Sequence, residues 1–159
     1  MADSVADGRT RVAWVSAIAN PAAPTTTELN AGTLVTSFLT ADGINGFQPD
    51  TASVDTSALD STFNTKAPGR ANYDNTMLRF KKQSGSDTIY NLLTYSTAGF
   101  VVIRRDVTST TAWTVGDKVE VYPASCGEVR NLDPEPNSVH KYEVPTMITL
   151  APNLRATVA

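Results

Sequence analysis

Two apolar runs constrain this chain more than anything else in it. From Arg11 to Ile18, Val12, Trp14 and Ile18 alternate with Ala13, Val15 and Ala17, and Phe100-Val101-Val102-Ile103 is apolar at every position. Successive side chains of a strand point to opposite faces, so a run apolar at both parities needs cover on both sides. Both runs belong deep in a fold, and Arg11 to Ile18 reads as a central strand. Neither approaches the ~20 apolar residues of a membrane-crossing helix. A length of 159 residues fits one domain over 1–159, with 1–10 as an N-terminal arm and 151–159 as a C-terminal arm.

The segments between these runs have shorter periods. After the breaker cluster Asn20-Pro21-Ala22-Ala23-Pro24, Thr25-Thr26-Thr27-Glu28 has the Ser/Thr-x-x-Glu form of a capping box and opens a short helix that Gly32 stops. Thr33 to Thr40 predicts a second strand by its β-branched and aromatic content. Thr76 to Lys82 alternates Leu78 and Phe80 with Met77, Arg79 and Lys81, as a half-solvated strand does, and Asp117 to Tyr122 is a second period-two run. Ser86 or Asp87 caps a helix in which Ile89, Leu92 and Leu93 fall at i, i+3 and i+4. Pro134 and Pro136 stiffen a turn, and Pro145 predicts that His140 to Leu150 is an edge strand or carries a bulge. The fold class is α+β, mostly antiparallel β, with a flanking amphipathic helix.

Ala41 to Ala71 breaks this rhythm. Asp42-Gly43, Asn45-Gly46, Pro49-Asp50 and Pro68-Gly69 are turn pairs among small polar residues, and Gly43-Ile44-Asn45-Gly46 reads as a turn. A structureless loop of this length is uncommon in a domain, so the segment is expected to be a long protruding loop or hairpin.

Charge and composition exclude several functions. Net charge is −3 and the pI near 5.0, without the positive field of a protein that grips phosphate. Charged residues make up 18%, below the ~25% of average domains, so Thr, Ser and Asn carry much of the surface. One cysteine, Cys126, and one histidine, His140, cannot make a disulfide or a structural zinc site. The N-terminus has acids before its first base and no apolar stretch, unlike a signal peptide. Synthesis in a cytoplasm, no membrane span and no cofactor are the resulting expectations. No glycine-rich phosphate cradle occurs. Asp55 and Asp60 read as solvated carboxylates rather than an acid/base pair. Cys126, in the small-polar turn Ala124 to Gly127, lacks the electropositive surroundings of a reactive thiol. Arg104-Arg105 and Lys81-Lys82 read as ion-pairing residues at a subunit contact. Trp14 and Trp113 read as core anchors, with an interface role open for Trp113.

Several segments in order carry a family likeness: Arg11-Val-Ala-Trp-Val with Ile18-Ala-Asn, Glu28-Leu-Asn-Ala-Gly, Leu39-Thr-Ala-Asp-Gly, Thr51-Ala-Ser-Val-Asp, Ser61-Thr-Phe, Gly99-Phe-Val-Val-Ile-Arg-Arg, Asp117-Lys-Val-Glu-Val-Tyr-Pro, and the closing Met147 and Arg155-Ala-Thr-Val. Together the chain resembles the major tail tube protein of long-tailed, non-contractile (siphovirus-type) phages, particularly those of actinobacteria. The resemblance implies a β-sandwich or barrel-like subunit that self-assembles into stacked hexameric rings, a virion structural protein lining the conduit for DNA during ejection. It brings no catalytic residues and no cofactor. It implies a tape-measure protein, tail-tip and tail-terminator proteins as partners, with transient, non-specific passage of DNA. Other readings are a tail terminator, a secretion-tube component, a non-viral β-sandwich binding module such as one for carbohydrate, or a small hydrolase.

Two sets of residues follow as candidate contacts. The long excursion supplies a ring-stacking set: Asp42, Gly43, Phe47, Asp50, Asp55, Asp60, Lys66 and Arg70. The polar-faced strands supply a lumen-facing set, Arg79, Lys81, Lys118 and Glu120. Unpaired bases facing a bore would hold phosphate, so Arg79, Lys81 and Lys118 are expected to pair with carboxylates such as Glu120.

Overall fold

The period-two runs become strands of one curled sheet. The computed structural model describes residues 1–159, and its elements run β1 (Arg11–Val15), α1 (Thr26–Ala31), β2 (Thr33–Leu34), β3 (Leu39–Asn45), β4 (Asp50–Asp55), β5 (Lys66–Asn72), β6 (Met77–Lys81), α2 (Thr88–Leu92), β7 (Ala98–Arg104), β8 (Lys118–Cys126), β9 (Arg130–Asn131), β10 (Lys141–Ile148) and β11 (Asn153–Thr157). The main sheet is ordered β2-β1-β7-β8-β10-β6-β3, with β11 added to β8 and β9 to β10, while β4 and β5 pair only with each other. Every pairing is antiparallel.

Alternate residues of β1, β7 and β8 enter two different cores. Val12, Trp14, Val101, Ile103 and Tyr122 join Phe80, Tyr142 and Val144, because the sheet curls into a half-barrel that brings β6 and β10 over this face, with Ile89 and Leu93 at α2. Ala13, Val15, Val102, Val119 and Val121 face the other way, under Leu29 of α1, Trp113, Ala156 and Val158. Each Val, Leu, Ile or Phe among them, fully buried, contributes roughly 1.5–3 kcal/mol. The two-sided cover demanded by the apolar runs is thus met by the curl on one side and by α1 and the C-terminal segment on the other.

Both helix starts follow their sequences. Thr25 accepts from the Glu28 N–H while Glu28 accepts from the Thr25 N–H, a complete capping box. Asp87 caps α2 by accepting from Tyr90 N–H at 3.1 Å.

Several expectations fail for identifiable reasons. β1 is not central: β7 bonds it from Arg11 to Val15, but its other edge meets only the two-residue β2 and, at Val12, the Val35 N–H and the Thr36 hydroxyl. Double-faced burial here comes from layers above and below, not from neighbours on both edges. The strand expected over Thr33 to Thr40 is broken at Val35, whose carbonyl accepts from both Phe38 and Leu39 N–H groups. The turn expected at Gly43 to Gly46 is largely the end of β3, where the register with β6 shifts between Leu39 and Ile44. Pro145 marks no edge. β10 pairs with β6 from Lys141 to Pro145 and with β8 from Thr146 to Ile148, so the proline sits where the strand changes partner. Cys126 ends strand β8 and is buried rather than lying in a turn. Residues 153–157, expected in an arm, form β11 on β8, and Ala156 is fully buried.

Candidate assembly surfaces

The hairpin β4–β5 stands apart from the half-barrel, and all six residues of β4 are exposed. Its tip, between Thr56 and Thr65, presents Leu59 at 107% and Phe63 at 75% relative exposure. Asp50, Asp55, Asp60, Lys66 and Arg70 are brought together on it, all exposed. Asp55 holds its proton less readily than an ordinary carboxyl, because the Ser57 N–H donates to it.

The other three residues of the ring-stacking set lie elsewhere. Asp42 and Gly43 belong to β3. Phe47 is buried edge-on against Tyr122, with ring centroids 5.0 Å apart, and offers no surface for a contact. Gly43 is a packing requirement: a Cβ there would lie 2.7 Å from the Arg79 carbonyl oxygen.

The polar face of β6 and β10 carries an ion-pair chain. Arg79 donates from Nε to Glu143 Oε1 at 2.9 Å and bridges Asp42 at 2.5 Å, while Arg130 approaches Glu143 at 3.5 Å. The bond to Glu143 raises the Arg79 pKa above its ordinary value. The expected partner Glu120 plays no part here. β10 lies between β6 and β8 in the sheet, so Glu143 is the residue opposite Arg79. Glu120 is held by Arg105 at 3.2 Å and accepts from the Tyr122 hydroxyl at 3.1 Å. Lys118 donates to Thr157 Oγ1 at 2.7 Å. Lys81 forms none of the chain's ion pairs.

Of the basic pairs expected at a subunit contact, Arg104, Arg105 and Lys82 are used within the chain. Arg104, fully buried, donates to the carbonyls of Thr108, Thr111 and Ala112 and to Asp117 at 2.8 Å. Its guanidinium lies 5.2 Å from the Trp113 ring, and that of Arg11 lies 5.0 Å from the same ring. Charge-assisted bonds and ring contact together fix the whole 108–117 loop to the end of β7. Lys82 sits 3.5 Å over the Tyr90 ring. Sequence reasoning missed this use of Arg104; the signal available was an arginine directly ending a run buried on both faces.

Chemistry at Cys126 is suppressed, because burial pushes its thiol up to about 11. His140 is exposed. No group of three His, Cys, Asp or Glu residues is placed to hold a metal ion, and no helix is long and apolar enough to cross a membrane. What the surface offers is an exposed, charged hairpin and a polar sheet face.

Comparison with known proteins assigns this architecture. A chain in the cryo-EM structure of the anti-feeding prophage baseplate, sixfold symmetrised, matches with a TM-score of 0.62 at 12% identity, over 96% of this chain and 96% of that one. A chain from an extracellular contractile injection system, the PVC sheath/tube terminator in its extended state, matches with a TM-score of 0.64 at 11% identity, over 94% of this chain and 96% of that one. At such identities the likeness is one of fold. No curated protein matches the chain. The family model described as phage tail tube protein matches residues 1–159, and with a half-barrel whose fold recurs in injection machines, the chain belongs to the phage tail tube protein family and is a structural component of the virion.

Proposed function

We propose that the protein is the major tube subunit of a phage tail, assembling into hexameric rings that stack into the conduit through which DNA leaves the virion. The observation that carries this reading is the family match over the whole chain. The ordered sequence segments described above favour a long, non-contractile tail. The protein is synthesised in the host cytoplasm and works without catalysis or cofactor. Its partners are further copies of itself, a tape-measure protein along the bore, and tail-tip and terminator proteins at the ends.

The polar face of β6, with Arg79 and Lys81, is the proposed bore; Lys118 and Glu120 stand on the opposite face of the sheet, the face that carries Tyr122. Arg79 is paired there with Glu143 and Asp42, which leaves Lys81 as the one base of the set on this face outside the ion pairs, and a wall with so little free positive charge lets phosphate slide past rather than stick. The exposed hairpin, with Asp50, Asp55, Asp60, Lys66 and Arg70, makes the contact between rings. Negative-stain microscopy of the purified protein tests the reading: tubes or stacked rings are expected, and a strict monomer, even with tail-tip extract added, overturns it. Replacing Asp50 to Lys66 by a short Gly/Ser linker should leave a folded monomer and abolish tubes; tubes of normal length would move the stacking contact elsewhere. A second reading, a tube terminator, is favoured by the fold shared with the PVC terminator. A terminator gives single rings that cap tubes, whereas a tube subunit polymerises.

A further inference from the structure

The two edges of the hairpin are not equivalent. Thr56 N–H donates to Thr65 O at 3.0 Å, and the register continues unbroken through Asp55↔Lys66 and Val54↔Ala67 to Ser53↔Pro68. Bonded and non-bonded pairs alternate in an antiparallel ladder. Val54 and Ala67 therefore bond each other, while the backbone groups of Ser53 and Asp55 point outward from β4, and those of Lys66 and Pro68 outward from β5. Pro68 has no N–H, so the β5 edge lacks a donor that the β4 edge keeps. No strand outside the hairpin pairs with either edge.

Charge is sorted the same way. β4 carries Asp50 and Asp55, and β5 carries Lys66 and Arg70. None of the chain's ion pairs uses any of the four, although Asp55 and Lys66 stand opposite each other. A two-stranded hairpin with neither face covered is marginal in water and gains from a further strand.

Three edge-to-edge pairings between copies can be compared. β4 against β4 sets aspartates against aspartates. β5 against β5 sets bases against bases and opposes two edges that each lack a donor at Pro68. Like charges across a ladder destabilise it. Only β4 against the β5 of another copy joins acid to base, and that contact is head-to-tail. We infer that the hairpins of neighbouring copies in one ring pair side by side, β4 of one with β5 of the next, in a continuous antiparallel collar that each ring presents to the ring it stacks on, and that the sorted charges with Pro68 exclude the two-fold alternatives. Two-fold contacts end at a dimer; head-to-tail contacts close a ring or run on. This inference rests on the proposed self-assembly.

Charge-swapped chains test it. Asp50→Lys/Asp55→Lys makes both strands basic, and Lys66→Asp/Arg70→Asp makes both acidic. Each variant alone should stay folded by circular dichroism yet form at least tenfold fewer tubes than wild type. An equimolar mixture should recover tubes containing both variants, since alternating copies again meet acid to base, and the fourfold swap should assemble by itself. Either double variant assembling as wild type, or a mixture without tubes, overturns the inference. A fourfold variant that assembles while the mixture does not overturns it too, because the charges would then act only within one hairpin. Wild type failing to assemble at all is the separate outcome that defeats the proposed function.

Discussion

Strands β1 and β4 are similar in length and each lies in an antiparallel pair, yet their surroundings are opposite. In β1, Val12, Ala13, Trp14 and Val15 are all buried, two in each core. In β4 every residue from Asp50 to Asp55 is exposed. Backbone pairing alone therefore says little about what holds a strand in place. β1 is held by layers that its own chain supplies, whereas β4 is shaped by its chain and left uncovered, under the proposal above for another copy to cover. Stability and assembly are thereby separated along the sequence, and substitutions in one region should leave the other's property largely intact.

The strongest way to break that separation is Arg104→Met. It leaves Asp117 without its buried partner and the Thr111 carbonyl without a donor, while the Thr108 carbonyl keeps the Thr111 N–H and the Ala112 carbonyl keeps the Thr114 hydroxyl. Breaking a buried pair costs about 3–5 kcal/mol, so a melting temperature lower by about 6–20 °C is expected. If the regions are independent, the surviving folded fraction still forms tubes at temperatures well below its melt.

A smaller effect is expected at Gly99. A Cβ there would sit 2.6 Å from the Trp14 ring and 2.9 Å from the Val15 carbonyl oxygen. Gly99→Ala should cost roughly 1–3 kcal/mol by overpacking, with altered tryptophan fluorescence and no change in tube morphology. Replacement of Asp50 to Lys66 by a linker is the converse case, with stability changed by about 0.5 kcal/mol or less and tubes lost.

The smallest effect at neutral pH sharpens the contrast by titration. The folded-state pKa of Cys126, about 11, lies above the ordinary thiol value of 9.0. The folded state then holds its proton more tightly than the unfolded chain does. The associated stability is complete below pH 9 and lost as pH rises through about 11. Monomer melts across this window should show a pH-dependent fall that shrinks in Cys126→Ala.

Much of the fold was legible because burial writes periodicity. Leu78 and Phe80 face the core as their alternation required, and the Thr25–Glu28 box caps its helix. The missed features depend on contacts distant in sequence. β11 is recognised only by its fit against β8, the role of Pro145 only by the change of partner there, and the burial of Phe47 only by Tyr122. The hairpin residues were legible as a group because turn pairs and unburied charge mark a segment outside a core. Their division into an acidic and a basic edge needed the register, which local sequence does not contain.

The arrangement around β8 also sets an order in time. One edge of this strand is bonded to β7, while the other is shared end to end by β10 and β11. The hairpin leaves the ribosome early, but the sheet behind it lacks those last partners until Thr157 emerges. Contacts so distant along the chain form slowly. A nascent subunit therefore carries its exposed hairpin on an unfinished base, which cannot yet fix it in the orientation that the proposed contact with another copy requires. On the proposed self-assembly, polymerisation during translation is disfavoured, since β11 is made well after the hairpin and completes the platform that orients it.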